Sequence, residues 1–259
     1  MNTDINVNSP RVSIVMSVFN GGSEVVIAVD SIICQSYQLW ELVIVDDGST
    51  DNTSQIVKQY AKKHQNIRVL TNKINLGLAY SLNEAIKHSN GEYIARMDAD
   101  DIALPNRIEE QVNYFDSHPK VSVLGTGSEV VTPSKKTIVL KPETHEEIVK
   151  SIEKINPFFH SSVMMRRDFV DAMSGYSAKY LRAQDYDLWL RGVDQFRYHN
   201  LQKVLMTYSS RNQSLQSIYY GLKVRCVNAY RRHRIIIGLT KAILVFLYGI
   251  WIKIIRLLR

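Results

Sequence analysis

The chain has 259 residues, 45% apolar and 22% charged, a globular balance that excludes a disordered protein and suits one large core or two modest ones. Its two cysteines, Cys34 and Cys226, stand far apart with no Cys-x-x-Cys or Cys/His spacing, so neither a disulfide framework nor a zinc site is suggested. The net charge of +7 is unevenly spread: residues 201–259 hold eleven Lys or Arg and no acid, and the other 200 carry 21 bases against 25 acids, about −4. A tail of that sign meets an anionic partner, either a membrane surface or a nucleic acid.

The opening MNTDINVNSPRV has no basic stretch followed by an apolar one, so no secretory signal is expected and the chain is expected on the cytoplasmic side. RVSIVMSVF reads as a strand, and VIAVDSIICQ, after a Gly-Gly turn, as a helix. WELVIVDD is a second strand, ending in Asp46-Asp47-Gly48, with Asp51 expected to cap a helix that reaches about His64. NIRVL, LGLAYSLNEAIKHS and EYIARM continue as strand, helix and strand. Such alternation with short loops predicts a parallel sheet with helices on its faces.

Ligands in such sheets bind outside the carboxyl ends of the strands. Polar or acidic clusters sit at three of those ends, Ser17 to Gly22, Asp46 to Thr50 and Asp98 to Asp101. No Gly-x-Gly-x-x-Gly follows the first strand and no Walker lysine appears, so neither a dinucleotide site nor a P-loop is supported. Beyond Asp101 the segments RIEEQVNYFDSH and HEEIVKSIEKI read as helices, VSVLGTGSEVV, KKTIVL and SSVMMRR as strands, and AQDYDLWLRGV as the opening of a helix with Asp185 near its start. One αβ domain of residues 1–210 and a basic tail of residues 211–259 is the simplest division.

Two carboxylates one residue apart at a strand end repel unless a cation lies between them. Oxygen ligands favour a hard ion such as Mg2+ or Mn2+, which completes its shell with water and phosphate oxygens. Asp98 and Asp100 in YIARMDADD have that spacing, although an isolated Asp-x-Asp also reads as a solvated loop capping the next helix.

VSIVMSVFN, WELVIVDDGSTDNT, NLGLAYSLNEAI and GEYIARMDADDIALPNRI together resemble, over roughly residues 11–200, the inverting family 2 glycosyltransferases. The resemblance implies a GT-A fold binding a nucleotide sugar. It implies that Val18, Phe19 and Asn20 line the base pocket and that Asp47 accepts a hydrogen bond from the imide N–H. Asp98 is implied near the ribose or metal and Asp100 on the metal, with Asp101 either joining them or only capping the loop. Asn75 and Gly77 then either contact nucleotide or shape a loop, and Asn83 either contacts nucleotide or is a polar helix-face residue.

NPFFHSSVMMRR and YLRAQDYDLWLR resemble the acceptor-side motifs of the same family, which implies Asp185 as the general base. Gln184 stands where the family usually has Glu, which leaves the base in place and puts the acceptor contact of that Glu in doubt. Arg182 reads as a diphosphate contact or an exposed arginine, and His160 as a phosphate or acceptor contact or a core histidine.

From Ile235 to Ile252 run 18 residues interrupted by Thr240 and Lys241, about 27 Å of helix against a hydrocarbon core of about 30 Å. On a helical wheel the cationic residues between Arg231 and Arg259 gather on one side, which predicts a helix lying in the interface of the cytoplasmic membrane, or else one docked on the protein's own core. With the resemblance, the tail implies a lipid-linked saccharide acceptor and a hexose donor, UDP-galactose or UDP-glucose, in surface-polysaccharide assembly. A dTDP- or GDP-sugar transferase, rhamnosyl or other, of the same pathway class is the alternative. Binding of nucleic acid is disfavoured, because aliphatic Ile and Leu offer no base stacking.

Overall fold

A computed structural model describes residues 10–209 and 215–232. The predicted alternation forms β1 (Val12–Val18), α1 (Glu24–Ile33), β2 (Trp40–Asp46), α2 (Thr53–Lys63), β3 (Ile67–Thr71), α3 (Leu78–Lys87) and β4 (Tyr93–Arg96). These four strands are parallel, with β1 between β2 and β4 and β3 outside β2. The start of α2 differs by one residue from expectation. Asn52 is the N-cap residue, and Asp51 closes a turn just before it by accepting from the Thr53 N–H at 3.0 Å.

The second half supplies β5 (Ile102–Ala103), α4 (Arg107–Ser117), β6 (Val121–Val131), β7 (Lys136–Val139), α5 (His145–Ser151), a single 3-10 turn at His160–Ser162, β8 (Met164–Arg166), α6 (Arg167–Ala172), α7 (Gln184–Gly192), β9 (Arg197–Ser209) and α8 (Leu215–Arg232). The strands form one mixed sheet in the order β3-β2-β1-β4-β8-β6-β9-β5, with β7 hydrogen-bonded to β6. β8 runs antiparallel to both neighbours and joins the parallel half to the β6–β9 pair.

Alternation along the strands fills both faces of the sheet. Val12, Ile14, Met16 and Val18 of β1 pack with Val25, Val29 and Ile32 of α1 and with Ile108, Val112 and Phe115 of α4. Val15, with Val43 and Val45 of β2, packs on the other face with Leu82 and Ile86 of α3 and Leu188 and Trp189 of α7. A sheet clad on both faces has only its strand ends open to a ligand, and the polar loops lie there.

The described part of the tail is α8, and it packs on the domain. Val224 and Asn228 are buried, the Asn228 amide donates to Asp187 Oδ1 at 3.4 Å, and the Arg225 guanidinium donates to the Lys154 carbonyl at 3.0 Å. No described helix is long and apolar enough to cross a membrane. The stretch from Ile235 onward, predicted to lie on a membrane surface, is outside the described residues.

Candidate active site

The loop after β4, the turn at His160 and the start of α7 enclose a cavity of about 500 Å3. Asp98, Asp100, His160, Arg182, Gln184 and Asp185 all line it. Residues far apart in sequence, from separate motifs of the same resemblance, thus share one space. Six of the thirteen expected site residues are there.

Two arginines buried to 0% exposure lie behind the acidic loop. Arg96 forms an ion pair with Asp98 and donates to the Met97 carbonyl. Arg107 donates to the Arg96 carbonyl at 2.9 Å and to Gln111 Oε1 at 3.1 Å. Burial, opposed by Asp101 and assisted by Arg96, pulls its guanidinium down to about 9. The sheet interior therefore carries fixed positive charge toward the carboxylates, which limits their mutual repulsion.

Asp101 is only 2% exposed. Its Oδ1 accepts from the Ser209 N–H at 2.7 Å, and the Ser209 hydroxyl donates to the Asp100 carbonyl at 2.6 Å. It is no helix cap, since Asn106 is the N-cap residue of α4. Instead it latches the end of β9 to the acidic loop. Burial first, then the Asp98 charge, push its carboxyl up to about 7 against the Ser161 hydroxyl and the Ser209 N–H.

Asp185 sits in the first turn of α7, immediately after Ala183 and Gln184. Ala183 has φ +60°, a left-handed conformation that disfavours residues with a Cβ. The Asn156 amide donates to Asp185 Oδ2 at 2.7 Å. Burial is the main cause raising the Asp185 carboxyl above the ordinary range, with the Asn156 hydrogen bond the first opposing it. Gln184 is buried, and its Oε1 has no hydrogen-bond partner among the described residues. His160 shares a 2.9 Å hydrogen bond with the Tyr176 hydroxyl, and burial and Arg96 hold its imidazole well below the ordinary histidine range. It offers the cavity a neutral hydrogen-bonding group, not a cation.

The residues expected at the nucleotide form a second group at the ends of β1 and β2. Val18 is buried, whereas Phe19 is 47% exposed. Asn20 takes φ +51° and ties two loops, its N–H donating to Ser49 Oγ at 2.9 Å and its Oδ1 accepting from the Thr50 N–H at 2.8 Å. Asp47 is buried, and both its oxygens accept from protein donors. The Asn72 amide lies at 2.8 Å and the Leu76 and Gly77 N–H groups at 2.9 Å, so this carboxylate shapes the loop that carries exposed Asn75. Gly48, at φ +75°, lies under the same loop, where an added Cβ would come within 2.6 Å of the Ile74 carbonyl carbon. Leu78, directly after Gly77, reaches the cavity lining.

Asn83 is placed otherwise than the nucleotide expectation. Its amide donates to the Tyr176 carbonyl at 2.8 Å and accepts from the Tyr176 N–H at 2.9 Å, and it is absent from the cavity lining. Both ends of the amide are occupied by backbone, so Asn83 positions Tyr176, which in turn holds His160. Asn156, Tyr176, Arg96 and Arg107 were not singled out by sequence. Asn156 opens the stretch NPFFHSSVMMRR, but nothing local marks it as a partner of a residue 29 positions on.

The family model for glycosyl transferase family 2 matches residues 13–174. The chain belongs to that family. The chain is similar to the glycosyltransferase EpsE of Bacillus subtilis, 35% identical over 244 residues that make up 92% of this chain and 82% of EpsE. The O-antigen biosynthesis glycosyltransferase WbnJ of Escherichia coli is 31% identical over 210 residues, 79% of this chain and 82% of WbnJ. Among solved structures, S. aureus TarS in complex with UDP superposes with a TM-score of 0.70 at 21% identity, covering 85% of this chain and 65% of that one. This likeness carries the fold, the mixed α/β GT-A architecture implied by the sequence motifs. The family 2 chain described here spans slightly less than two thirds of the TarS structure.

Asp98 and Asp100 bring two carboxylates to the cavity, and no group of three or more His, Cys, Asp or Glu suited to a metal occurs among the described residues. Two carboxylates leave most of a coordination shell for water and phosphate oxygens, as Mg2+ or Mn2+ requires. The donor set fits such an ion.

Proposed function

We propose that this chain transfers a hexose, galactose or glucose, from a UDP-sugar to a lipid-diphosphate-linked N-acetylhexosamine with inversion at the anomeric carbon, in surface-polysaccharide assembly. The observation that carries this reading is the convergence of Asp98, Asp100 and Asp185 on one cavity. The nucleotide lies across the ends of β1 and β2 against Val18, Phe19, Asn20, Asp47, Asn75 and Gly77, with Arg182 near its diphosphate. Asp98 and Asp100 would hold Mn2+ or Mg2+, which when bound would offset charge on the diphosphate.

Asp185 accepts the proton of the acceptor hydroxyl as its oxygen bonds to the anomeric carbon, while the bond to UDP breaks on the opposite face. Two features suit it to this task. Its raised pKa makes it a stronger base than an ordinary aspartate, and Asn156 fixes the carboxylate in one orientation. Gln184, with a buried acceptor atom lacking a partner among the described residues, and neutral His160 are placed to meet the acceptor.

The acid-free cationic tail supports a peripheral position on the cytoplasmic face of the membrane, where a lipid-linked acceptor is found. The relative WbnJ, an O-antigen biosynthesis glycosyltransferase, and the TarS structure with UDP support the pathway class and the donor nucleotide. The test is transfer and donor hydrolysis measured across UDP-, GDP- and dTDP-sugars, with and without Mn2+ or Mg2+. Turnover with a dTDP- or GDP-sugar in preference to UDP-sugars would overturn the donor assignment, and undiminished turnover in a chelator the metal.

A further inference from the structure

Helix α8 reaches the cavity at Gly221, which lines it together with Asp185, Arg182 and Asn156. The helix is fixed there by its inner face, because Val224 and Asn228 are buried at three and seven residues beyond Gly221. That spacing puts all three on one side of the helix. Asn228 reaches Asp187 on α7, and Arg225 reaches the Lys154 carbonyl, two residues before Asn156. The grip thus falls on both sides of the Asn156–Asp185 pair.

Gly221 is a glycine inside a helix, where glycine is disfavoured relative to alanine. The two usual structural reasons for it are missing. Its φ is not in the left-handed region, and a Cβ added to it meets nothing within 4 Å among the described residues. Among the described residues, neither backbone conformation nor packing demands its bare face. What remains is the space in front of it, which belongs to the cavity.

We infer that α8 is the acceptor-side wall of this site, and that Gly221 sets how much room the acceptor sugar has beside Asp185. The inference rests on the glycosyltransferase reading of the cavity and adds to it a residue that sets acceptor fit. Any side chain at 221 stands where the saccharide enters, while the base contacts Val18, Phe19, Asn20 and Asp47, at the ends of β1 and β2, are absent from the lining that includes Gly221. Stability and acceptor recognition then respond in opposite directions, because alanine favours the helix and crowds the acceptor. A glycine of purely structural origin would not show that opposition.

The experiment uses the full chain and its Gly221→Ala and Gly221→Leu variants, with synthetic undecyl-diphosphate-linked N-acetylglucosamine as acceptor probe. UDP affinity, acceptor affinity by direct titration, acceptor KM and Tm are measured for each. The Ala variant is expected to melt higher than wild type, with acceptor KM raised about 3-fold, and the Leu variant to raise it more than about 10-fold, UDP affinity staying within about twofold. Acceptor affinity and KM of both variants within about twofold of wild type would overturn the inference. Should the Leu variant fail to fold, the Ala variant decides. Failure of the wild-type chain to bind UDP at all would instead overturn the glycosyltransferase reading, a distinct result.

Discussion

The amide of Asn156 donates to the carboxylate of Asp185 at 2.7 Å across a gap of 29 residues, and this bond is the largest of those that oppose the burial raising the acid's pKa. A general base must be ionised to take a proton, so transfer falls as pH drops through the Asp185 pKa. Removing the Asn156 donor destabilises the carboxylate and raises that pKa further. Asn156→Ala is therefore expected to move the acidic limb of the kcat–pH profile upward. A limb that stays put or moves down would show that Asn156 does not tune the base.

Substitutions on the two sides of the cavity should separate binding from chemistry. Asp100→Ala is expected to abolish the metal-dependent part of UDP binding. Asp185→Asn should keep that binding and lower transfer by about 10²–10⁴-fold. Calorimetric titration of UDP with and without Mn2+, beside transfer assays, distinguishes the two. Equal loss of both properties in both variants would mean that the base is misassigned.

Asp101 gives a prediction about folding in metal-free protein. Its folded-state pKa, near 7, lies above the ordinary 3.8, so between those values the native state holds a proton that the unfolded chain has released. Stability is then lost as pH rises through this window. Asp101→Asn removes the titration and keeps an oxygen for the Ser209 N–H. Its Tm relative to wild type should rise between pH 5 and pH 8, by the equivalent of about 1–3 kcal/mol. A pH-independent difference in Tm would be evidence that Asp101 is ionised throughout.

Asn83 should behave as a brace and not as a ligand contact. Asn83→Ala leaves the Tyr176 N–H and carbonyl without their partners, at a cost of about 1–3 kcal/mol of stability, read as a lower midpoint in urea. UDP affinity is expected to hold within about twofold. A large fall in UDP affinity at unchanged stability would restore Asn83 to the nucleotide site.

The parallel half of the fold was legible because its strands are short apolar runs and its helices repeat at helical spacing, so that β1 to β4 stand where RVSIVMSVF, WELVIVDD, NIRVL and EYIARM predict them. β9 was not read as a strand. Asn200, Gln202 and Lys203 interrupt its apolar residues, and its pairing with β6 shifts register at several points, so no clean period of two survives. The two-residue β5 is too short to leave a pattern. In the site, the acidic and aromatic motifs announced Asp98, Asp100, His160 and Asp185, since charge and ring type are visible in a sequence. The partners that orient them were not visible. Asn156, Tyr176 and Ser209 are ordinary polar residues whose roles arise only when the sheet brings distant segments together.

The latch between Ser209 and Asp101 joins residues 108 positions apart. During synthesis the strands β1 to β4 have emerged long before β9 exists to pair with β5 and pin the acidic loop. The amino-terminal half of a nascent chain can collapse around β1 while its carboxylates still lack their final tether. A ribosome-bound chain stalled before Ser209 would thus hold the parallel strands without the finished acidic loop, so β9 completes a tether that the earlier strands cannot supply.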